Sequence, residues 1–306
     1  MNQRSFDEWD VTGWRVIGDE VLGTKPKRWV APAGGRTEDL WLMKDQTFSE
    51  SKKFGLYPKG DDWSERVAAA IAATMEIPAA RVELATKTTE SEDQVLGILS
   101  KRIHDDSESL VHGNELLQQY RHTADAWDMT GYSPQTIKRA LDTVGPPARG
   151  SWESSWQLFV AYLVLDAVIG NTDRHPENWA VIDSGDSSNR TLAPSFDHAS
   201  CLGFQLAPGD KEKRLLSKDR NRQPEIWAST AKTHFEGKQP TTDVAAAALG
   251  TLDDQARRDL IDRIPTSVET DQLVEAAPDS RMDEPSKQFA KRMLLANIAR
   301  LTALSQ

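Results

Sequence analysis

The stretch between residues 156 and 197 constrains the fold of this chain more than any other part of its sequence. An apolar run over residues 156–169 leads into a dense polar cluster over residues 171–178. A short apolar run over residues 179–182 follows, then a turn rich in Ser, Gly, Asp and Asn, and the chain returns through residues 192–196. This succession predicts a buried helix, a polar loop and a hairpin of two short strands.

Three polar side chains in this stretch have a spacing that suits phosphoryl transfer. Asp173 and Asn178 form a D-x-x-x-x-N pattern, the spacing of the protein-kinase catalytic loop, and Asp197 emerges after the hairpin. In that template the first Asp orients the attacking hydroxyl, while the Asn and the second Asp hold Mg²⁺ against the phosphates of ATP. Asp and Asn also form ordinary turns, so the spacing alone indicates only a loop. The helix before it and the second Asp after it favour a kinase.

The residues around this pattern resemble a known family. Residues 170–178 read G-N-T-D-R-H-P-E-N and residues 192–197 read L-A-P-S-F-D, which closely resembles the C-terminal kinase core of HipA-like proteins. Those proteins are bacterial serine/threonine kinases with a two-lobed, protein-kinase-like fold, and many are toxins of toxin–antitoxin systems. The resemblance implies an α+β fold, with a β-rich N-lobe over residues 1–103 and a mostly helical C-lobe over residues 104–306. Helices of the C-lobe are predicted over residues 114–120, 134–144, 152–169, 244–249, 253–264 and 285–304.

The same resemblance implies a set of ligands and partners. ATP and Mg²⁺ are the expected cofactors, and a Ser or Thr of a protein substrate is the expected acceptor of the γ-phosphate. An antitoxin is a candidate partner. The chain resembles the compact members of the family, so contacts through the extra N-terminal subdomain of longer members are not assumed.

The first hundred residues contain candidates for binding the nucleotide phosphates. Residues 40–44 read as a buried strand that ends at Lys44, and Glu65 lies in the first turn of a clear helix. In kinases a strand Lys contacts the α- and β-phosphates and pairs with a helix Glu. Glu65 would otherwise only complement the helix dipole, and both interpretations stay open.

Two further segments complete the predicted nucleotide site. The turn over residues 22–28 is a candidate phosphate loop through Gly23, Lys25 and Lys27, with an ordinary basic hairpin turn as the alternative. Residues 94–103 read as a strand, which the resemblance makes the lead into the kinase hinge; the alternative is an edge strand. The residues whose backbone groups are then expected to bind adenine are Ser100, Lys101, Arg102 and Ile103.

Composition narrows the possible functions. A formal net charge of −10 argues against broad nucleic-acid binding and against binding to an anionic membrane, so neither is expected. No apolar run is long enough to span a membrane, and the N-terminus lacks an apolar signal core. A single cysteine, Cys201, excludes an internal disulfide and a cysteine-built zinc site. We therefore expect a cytoplasmic protein.

Three alternative functions stay open from the sequence. The first is a small-molecule or lipid kinase of similar fold, since such enzymes share the D-x-x-x-x-N pattern. His175 and His198, together with Asp173 and Asp197, would suit a metal-dependent phosphohydrolase, although their spacing fits no zinc or two-metal motif. The third alternative is a non-catalytic nucleotide-binding module. The basic tract over residues 211–222 is expected to be a solvent-exposed loop, with a substrate-docking segment as its alternative.

Overall fold

The structure is a computed structural model, and the residues that it describes are 5–20, 26–36, 39–121, 128–147, 150–185 and 189–305. Gly23 and Lys25 of the candidate phosphate loop fall outside these ranges. The elements of the N-terminal part are β1 (Glu8–Asp10), β2 (Arg15–Glu20), β3 (Lys27–Ala31), β4 (Trp41–Asp45), β5 (Phe48–Ser51), β6 (Gly55–Pro58), α1 (Asp61–Thr74), β7 (Val82–Thr88) and β8 (Gln94–Lys101). Those that follow are β9 (Ser109–His112), α2 (Gly113–Leu116), α3 (Pro134–Leu141), α4 (Ser155–Ile169), β10 (Ala180–Asp183), β11 (Thr191–Leu192), α5 (Pro208–Leu215), α6 (Pro224–Ser229), α7 (Thr241–Leu249), α8 (Asp254–Asp262), α9 (Ser267–Glu275) and α10 (Glu284–Leu304).

Six strands of the N-terminal part form one sheet in the order β1-β7-β8-β4-β3-β2. β1 runs parallel to β7, and the other neighbours are antiparallel. Successive residues of a strand point to opposite faces of the sheet. Leu42 and Lys44 of β4 pair with Ser100 and Ile98 of β8, so these side chains share one face. The opposite face contributes to a small core of Val11, Val30, Trp41, Met43, Ala85 and Leu99.

The C-terminal part packs around α4. The Ser154 side chain caps its first turn by accepting a hydrogen bond from the amide of Gln157, and Gly170 ends it in the left-handed region at φ 67°. Every helix residue except Gln157 is buried, which explains why the segment is apolar on all sides. The predicted order of helix, polar loop and short strand over residues 156–182 is confirmed, because α4 is followed by a polar loop and then by β10.

Among the described residues, no helix is long and apolar enough to cross a bilayer.

The predicted second strand of the hairpin is largely wrong. Residues 192–196 contribute to a strand only at its start, where β11 pairs with β10. Pro194 has no amide hydrogen to donate to a sheet. Ser195 turns instead to the segment before β7, where its carbonyl accepts from the amide of Ala80 at 2.8 Å. This contact joins the N-terminal sheet region to the segment that carries Asp197.

The basic tract over residues 211–222 is largely exposed, as its composition predicts, but it does not begin as a loop. Its first residues lie in α5, and Lys211 is buried there; its ammonium donates to Ser286 Oγ at 2.8 Å and lies 5.0 Å from the ring centroid of Trp63. The predicted helix over residues 114–120 is also shorter than expected, since only α2 forms there. In both places tertiary packing overrides the local pattern.

Candidate active site

A cavity of about 670 Å³ opens between the six-stranded sheet and the helical part. Pockets of roughly 300–1,000 Å³ are typical sites for small-molecule ligands. The residues of the sequence-predicted site that line it are Lys27, Lys44, Glu65, Ser100, Lys101, Arg102, Ile103, Asp173, Asn178 and Asp197. They come from distant stretches of the chain, and the fold brings them to one place.

Four charged side chains form a connected cluster in this cavity. Lys44 Nζ lies 3.2 Å from both carboxylate oxygens of Glu65 and 3.0 Å from Oδ1 of Asp197. Lys27 Nζ lies 3.4 Å from Oδ2 of Asp197. The ion pair between β4 and α1 is therefore present, and Glu65 does more than complement the dipole of its helix.

Burial and charge act against each other in this cluster. Burial disfavours the charged form of Lys44, but the carboxylates of Asp197 and Glu65 outweigh it and raise the pKa of Lys44. Burial likewise opposes ionisation of Asp197, and the ammonium groups of Lys44 and Lys27 nevertheless hold its pKa well below the usual range. At Glu65, whose side chain is 1 % exposed, burial dominates and raises the pKa. Asp197 is thus ionised, as a metal ligand must be.

The polar loop between α4 and β10 carries Asp173 and Asn178. Nδ2 of Asn178 donates to the backbone carbonyl of Asp173 at 2.7 Å, so Oδ1 is the amide atom left to hold a metal ion. Oδ2 of Asp173 accepts from Ser200 Oγ at 3.2 Å, and Oδ1 lies 3.3 Å from Nε2 of His234. The Asp173 side chain is 39 % exposed, which leaves it accessible to a substrate.

A buried ion pair holds this loop on α4. Arg174 donates to both carboxylate oxygens of Asp166 at 2.8 Å, and its Nη1 donates to the carbonyl of Asn178 at 2.8 Å. Asn171 Nδ2 also donates to Asp166 at 2.8 Å. The position of Asn178 therefore depends on Asp166, which sequence patterns left unassigned. A lone acid inside an otherwise apolar helix is the signal that marks it.

The surroundings of Asp197 constrain it further. Asp197 has φ 57°, in the left-handed region that residues other than glycine rarely adopt. The next residue, His198, is buried with Nε2 2.7 Å from Ser195 Oγ. Burial, assisted by the charge of Arg174, lowers the pKa of His198 to about 3, so this imidazole is neutral. The described residues contain no group of three or more His, Cys, Asp or Glu placed to hold a metal ion.

The sheet face that carries the charged cluster continues into an apolar part of the cavity. Apolar residues that line the cavity include Leu42, Ala80, Ile98, Ile103, Leu110 and Phe196. The amides of Lys101 and Arg102 donate to the carbonyls of Arg81 and Leu40, so they are already engaged. Ser100 lies inside β8 and pairs with Leu42 of β4 and Val82 of β7. Within the described part of the chain the Ile103 amide makes no hydrogen bond.

A second buried arginine fixes α1, which presents Glu65. Arg281 precedes α10, and its side chain is 0 % exposed. It donates to Oδ2 of Asp62 on α1 at 3.0 Å, and to the carbonyls of Ala85 at 2.7 Å and Gly97 at 3.3 Å on β7 and β8. Asp62 lies one helical turn before Glu65, so Arg281 holds that turn against the sheet. Nothing in the local sequence marks this residue.

Known proteins resemble this chain in sequence and in fold. The family model of the HipA-like C-terminal domain matches residues 20–270. The crystal structure of the Helicobacter pylori proinflammatory kinase CtkA gives a TM-score of 0.70 at 19 % identity, covering 98 % of this chain and 96 % of that chain. HipA of Shewanella oneidensis, solved with HipB and its operator DNA, gives a TM-score of 0.51 at 14 % identity, covering 96 % of this chain and 67 % of that chain.

A curated relative shares a short segment with this chain. The serine/threonine-protein kinase CtkA of Helicobacter pylori is 43 % identical over 47 residues, which cover 15 % of this chain and 13 % of that protein. The structural matches show the two-lobed, protein-kinase-like fold, so the predicted α+β fold class is confirmed. The boundary between the lobes at residues 103 and 104 stays a prediction.

Proposed function

Because the chain belongs to the family of HipA-like C-terminal domains, we propose that it is an ATP- and Mg²⁺-dependent kinase acting on Ser or Thr of a protein. The strongest support is that the Lys44–Glu65 ion pair, Asp197 and the loop of Asp173 and Asn178 line one cavity. Phosphoryl transfer from ATP requires this combination of a cation, metal-binding oxygen ligands and a carboxylate near the acceptor.

Each of these residues has a distinct role in the proposed reaction. Asp173 orients the acceptor hydroxyl and takes its proton as the new O–P bond forms, while the bond from the γ-phosphorus to the bridging oxygen breaks and ADP leaves. Asn178 Oδ1 and the carboxylate of Asp197 would hold Mg²⁺, which would neutralise phosphate charge of the nucleotide. Lys44 binds the α- and β-phosphates, and Glu65 keeps its ammonium in place.

The rest of the nucleotide occupies the remainder of the cavity. The apolar part takes the adenine ring, and the amide of Ile103 donates to it. Lys27 lies beside Asp197 and neutralises phosphate charge. Gly23 and Lys25 stay part of the proposed phosphate loop on the strength of the sequence alone.

The acceptor and partners are also part of the proposal. The HipA of Shewanella oneidensis was solved with HipB, which suggests an antitoxin as a candidate partner for this chain. The net charge of −10 supports a protein rather than a nucleic acid as the direct ligand. We place the reaction in the cytoplasm.

The proposal is tested by incubating the protein with γ-labelled ATP, Mg²⁺ and a bacterial lysate, then separating proteins from small molecules. We expect label on phosphoserine or phosphothreonine of a protein band. Label in the small-molecule fraction alone would favour the small-molecule or lipid kinase alternative. ATP binding without any transfer would favour the non-catalytic module, and phosphoester hydrolysis without ATP would favour the hydrolase.

A further inference from the structure

The carboxylate of Asp173 is held by side chains that lie far from it in the sequence. Its Oδ1 lies 3.3 Å from Nε2 of His234 and 4.0 Å from Nε2 of His175, whereas Oδ2 accepts from Ser200 Oγ at 3.2 Å. The two imidazole rings meet edge to face, with centroids 5.7 Å apart. The Oδ1 side of the carboxylate is therefore enclosed by imidazoles, and the Oδ2 side faces a hydroxyl group.

His234 is carried by a loop that the fold ties to the catalytic loop. The ring of the next residue, Phe235, is buried with its centroid 4.7 Å from that of Tyr132. The amide of Glu236 donates to the carbonyl of Tyr132 at 2.9 Å. Tyr132 Oη in turn donates to the carbonyl of Arg174 in the catalytic loop at 2.8 Å. The buried Tyr132 thus contacts both the loop that carries His234 and the loop that carries Asp173 and Arg174, and this packing fixes the position of His234.

A carboxylate that orients an acceptor hydroxyl must keep one oxygen turned towards it. A hydrogen-bond donor fixed on the other oxygen prevents rotation about the Cβ–Cγ bond. We infer that His234, as its Nε2–H tautomer, donates to Oδ1 of Asp173 and so presents Oδ2 to the acceptor Ser or Thr. The Ser200 hydroxyl already donates to Oδ2, and the second lone pair of this oxygen is left for the acceptor hydroxyl. This positioning role rests on the kinase function proposed above.

Steady-state kinetics of His234→Ala and His234→Gln test this role. Loss of the donor in His234→Ala is expected to lower kcat about 10- to 100-fold, because orientation of the catalytic group is lost. The affinity for ATP with Mg²⁺ is expected to stay within about twofold, since His234 is not among the residues that line the cavity. His234→Gln keeps an N–H donor on a side chain of similar reach and is expected to recover most of kcat.

Gln239→Ala is the matched control, because Gln239 has an exposed side chain in the same loop and its backbone carbonyl, which the substitution keeps, accepts from the amide and the hydroxyl of Thr233. It is expected to behave as wild type. The inference is overturned if His234→Ala retains the wild-type kcat, or if its kcat rises, which would make His234 a block to the acceptor. A loss that His234→Gln does not recover would show a packing role and would also overturn it.

A second measurement tests the hydrogen bond from His234 to Asp173 independently of kinase activity. Should the wild type phosphorylate no acceptor, the proposed function fails, but ¹H–¹⁵N spectra still report the ring N–H groups of the full chain. In the wild type the Hε2 proton of His234 is expected to be shifted downfield and protected from exchange with solvent, and in Asp173→Ala to lose both properties. An unchanged Hε2 signal in Asp173→Ala would show that His234 does not donate to this carboxylate.

Discussion

Asp197 and Asp173 both place a carboxylate in the cavity, but the two carboxylates have different neighbours. Asp197 lies 3.0 Å from the ammonium of Lys44 and 3.4 Å from that of Lys27, and these charges depress its pKa. Asp173 meets instead the hydroxyl of Ser200 and the imidazole of His234. The first environment keeps a carboxylate ionised, as the proposed metal ligand must be, and the second suits the proposed role of orienting an acceptor hydroxyl.

Lys44→Met is expected to lower kcat/KM for ATP by about 100-fold or more, because the phosphates lose their buried cation. Glu65 and Asp197 would also face each other with Lys27 as the remaining cation of the cluster. Lys87→Met is the control, since Lys87 on the same sheet pairs with Asp45 at 2.7 Å outside the charged cluster. Equal activity of Lys44→Met and Lys87→Met would contradict the assigned role.

Lys211 gives a pH-dependent prediction. Burial lowers the pKa of Lys211 to about 8 in the folded chain, whereas the pKa of a Lys in an unfolded chain is about 10.4. Between these values the unfolded chain binds a proton that the folded chain lacks, so stability rises with pH across that window. Below it the folded state carries the full cost of a buried charge. Lys211→Met is expected to be more stable than wild type by about 1–3 kcal/mol at pH 7.

The advantage of Lys211→Met is expected to shrink as the pH rises from about 8 to about 10, because wild-type Lys211 then becomes neutral when folded. Urea unfolding at both ends of that range measures the difference. A difference that stays constant with pH would contradict the lowered pKa. Reduced stability of Lys211→Met at every pH would mean that the hydrogen bond to Ser286 and the contact with Trp63 outweigh the cost of burial.

At the scale of elements, α1 is fixed at two neighbouring turns. Glu65 is bound by Lys44 of β4, and Asp62 is bound by Arg281 from the segment before α10. The strand Lys and helix Glu are predictable because each lies in a local pattern with a known partner type. Arg281 is not predictable, since its partners on α1, β7 and β8 meet it only after the chain has folded.

Arg281→Met is expected to lower the free energy of unfolding by about 3–5 kcal/mol, because it leaves the buried Asp62 without its cation. Arg257→Met is the control, since Arg257 makes an exposed ion pair with Asp254 at 2.7 Å, and its loss is expected to cost less than about 1 kcal/mol. Denaturant unfolding measures both. Similar small losses in the two variants would contradict the claim that Arg281 fixes α1.

The limits of sequence patterns are clearest in the segments after Asp197. Local composition predicted an exposed loop over residues 211–222; most of these residues are exposed, but the first of them lie in α5, where Lys211 is buried. The same patterns located Asp173 and Asn178, because their spacing within one loop follows from the chemistry itself. His234 could not be located in this way, since only long-range packing through Tyr132 brings its loop to Asp173.

At the scale of the whole molecule, the cavity is lined by both the sheet and the helical part, so a ligand there contacts both. Under the proposed function ATP with Mg²⁺ binds only the folded chain, and at about 100 times its dissociation constant it is expected to stabilise folding by about 2.7 kcal/mol. In Asp197→Asn we expect the part of this stabilisation that depends on Mg²⁺ to be lost. Thermal unfolding with ATP, in the presence and absence of Mg²⁺, measures it, and an equal magnesium effect in both proteins would exclude Asp197 as a ligand.

The central claim is that phosphoryl transfer in this cavity depends on the carboxylate of Asp173. It is tested most directly by following transfer of labelled γ-phosphate from ATP with Mg²⁺ to lysate proteins, using wild type and Asp173→Asn side by side. We expect transfer by the wild type and a loss of about 100-fold or more in Asp173→Asn, with ATP binding retained by both. Equal transfer by the two proteins would contradict the claim.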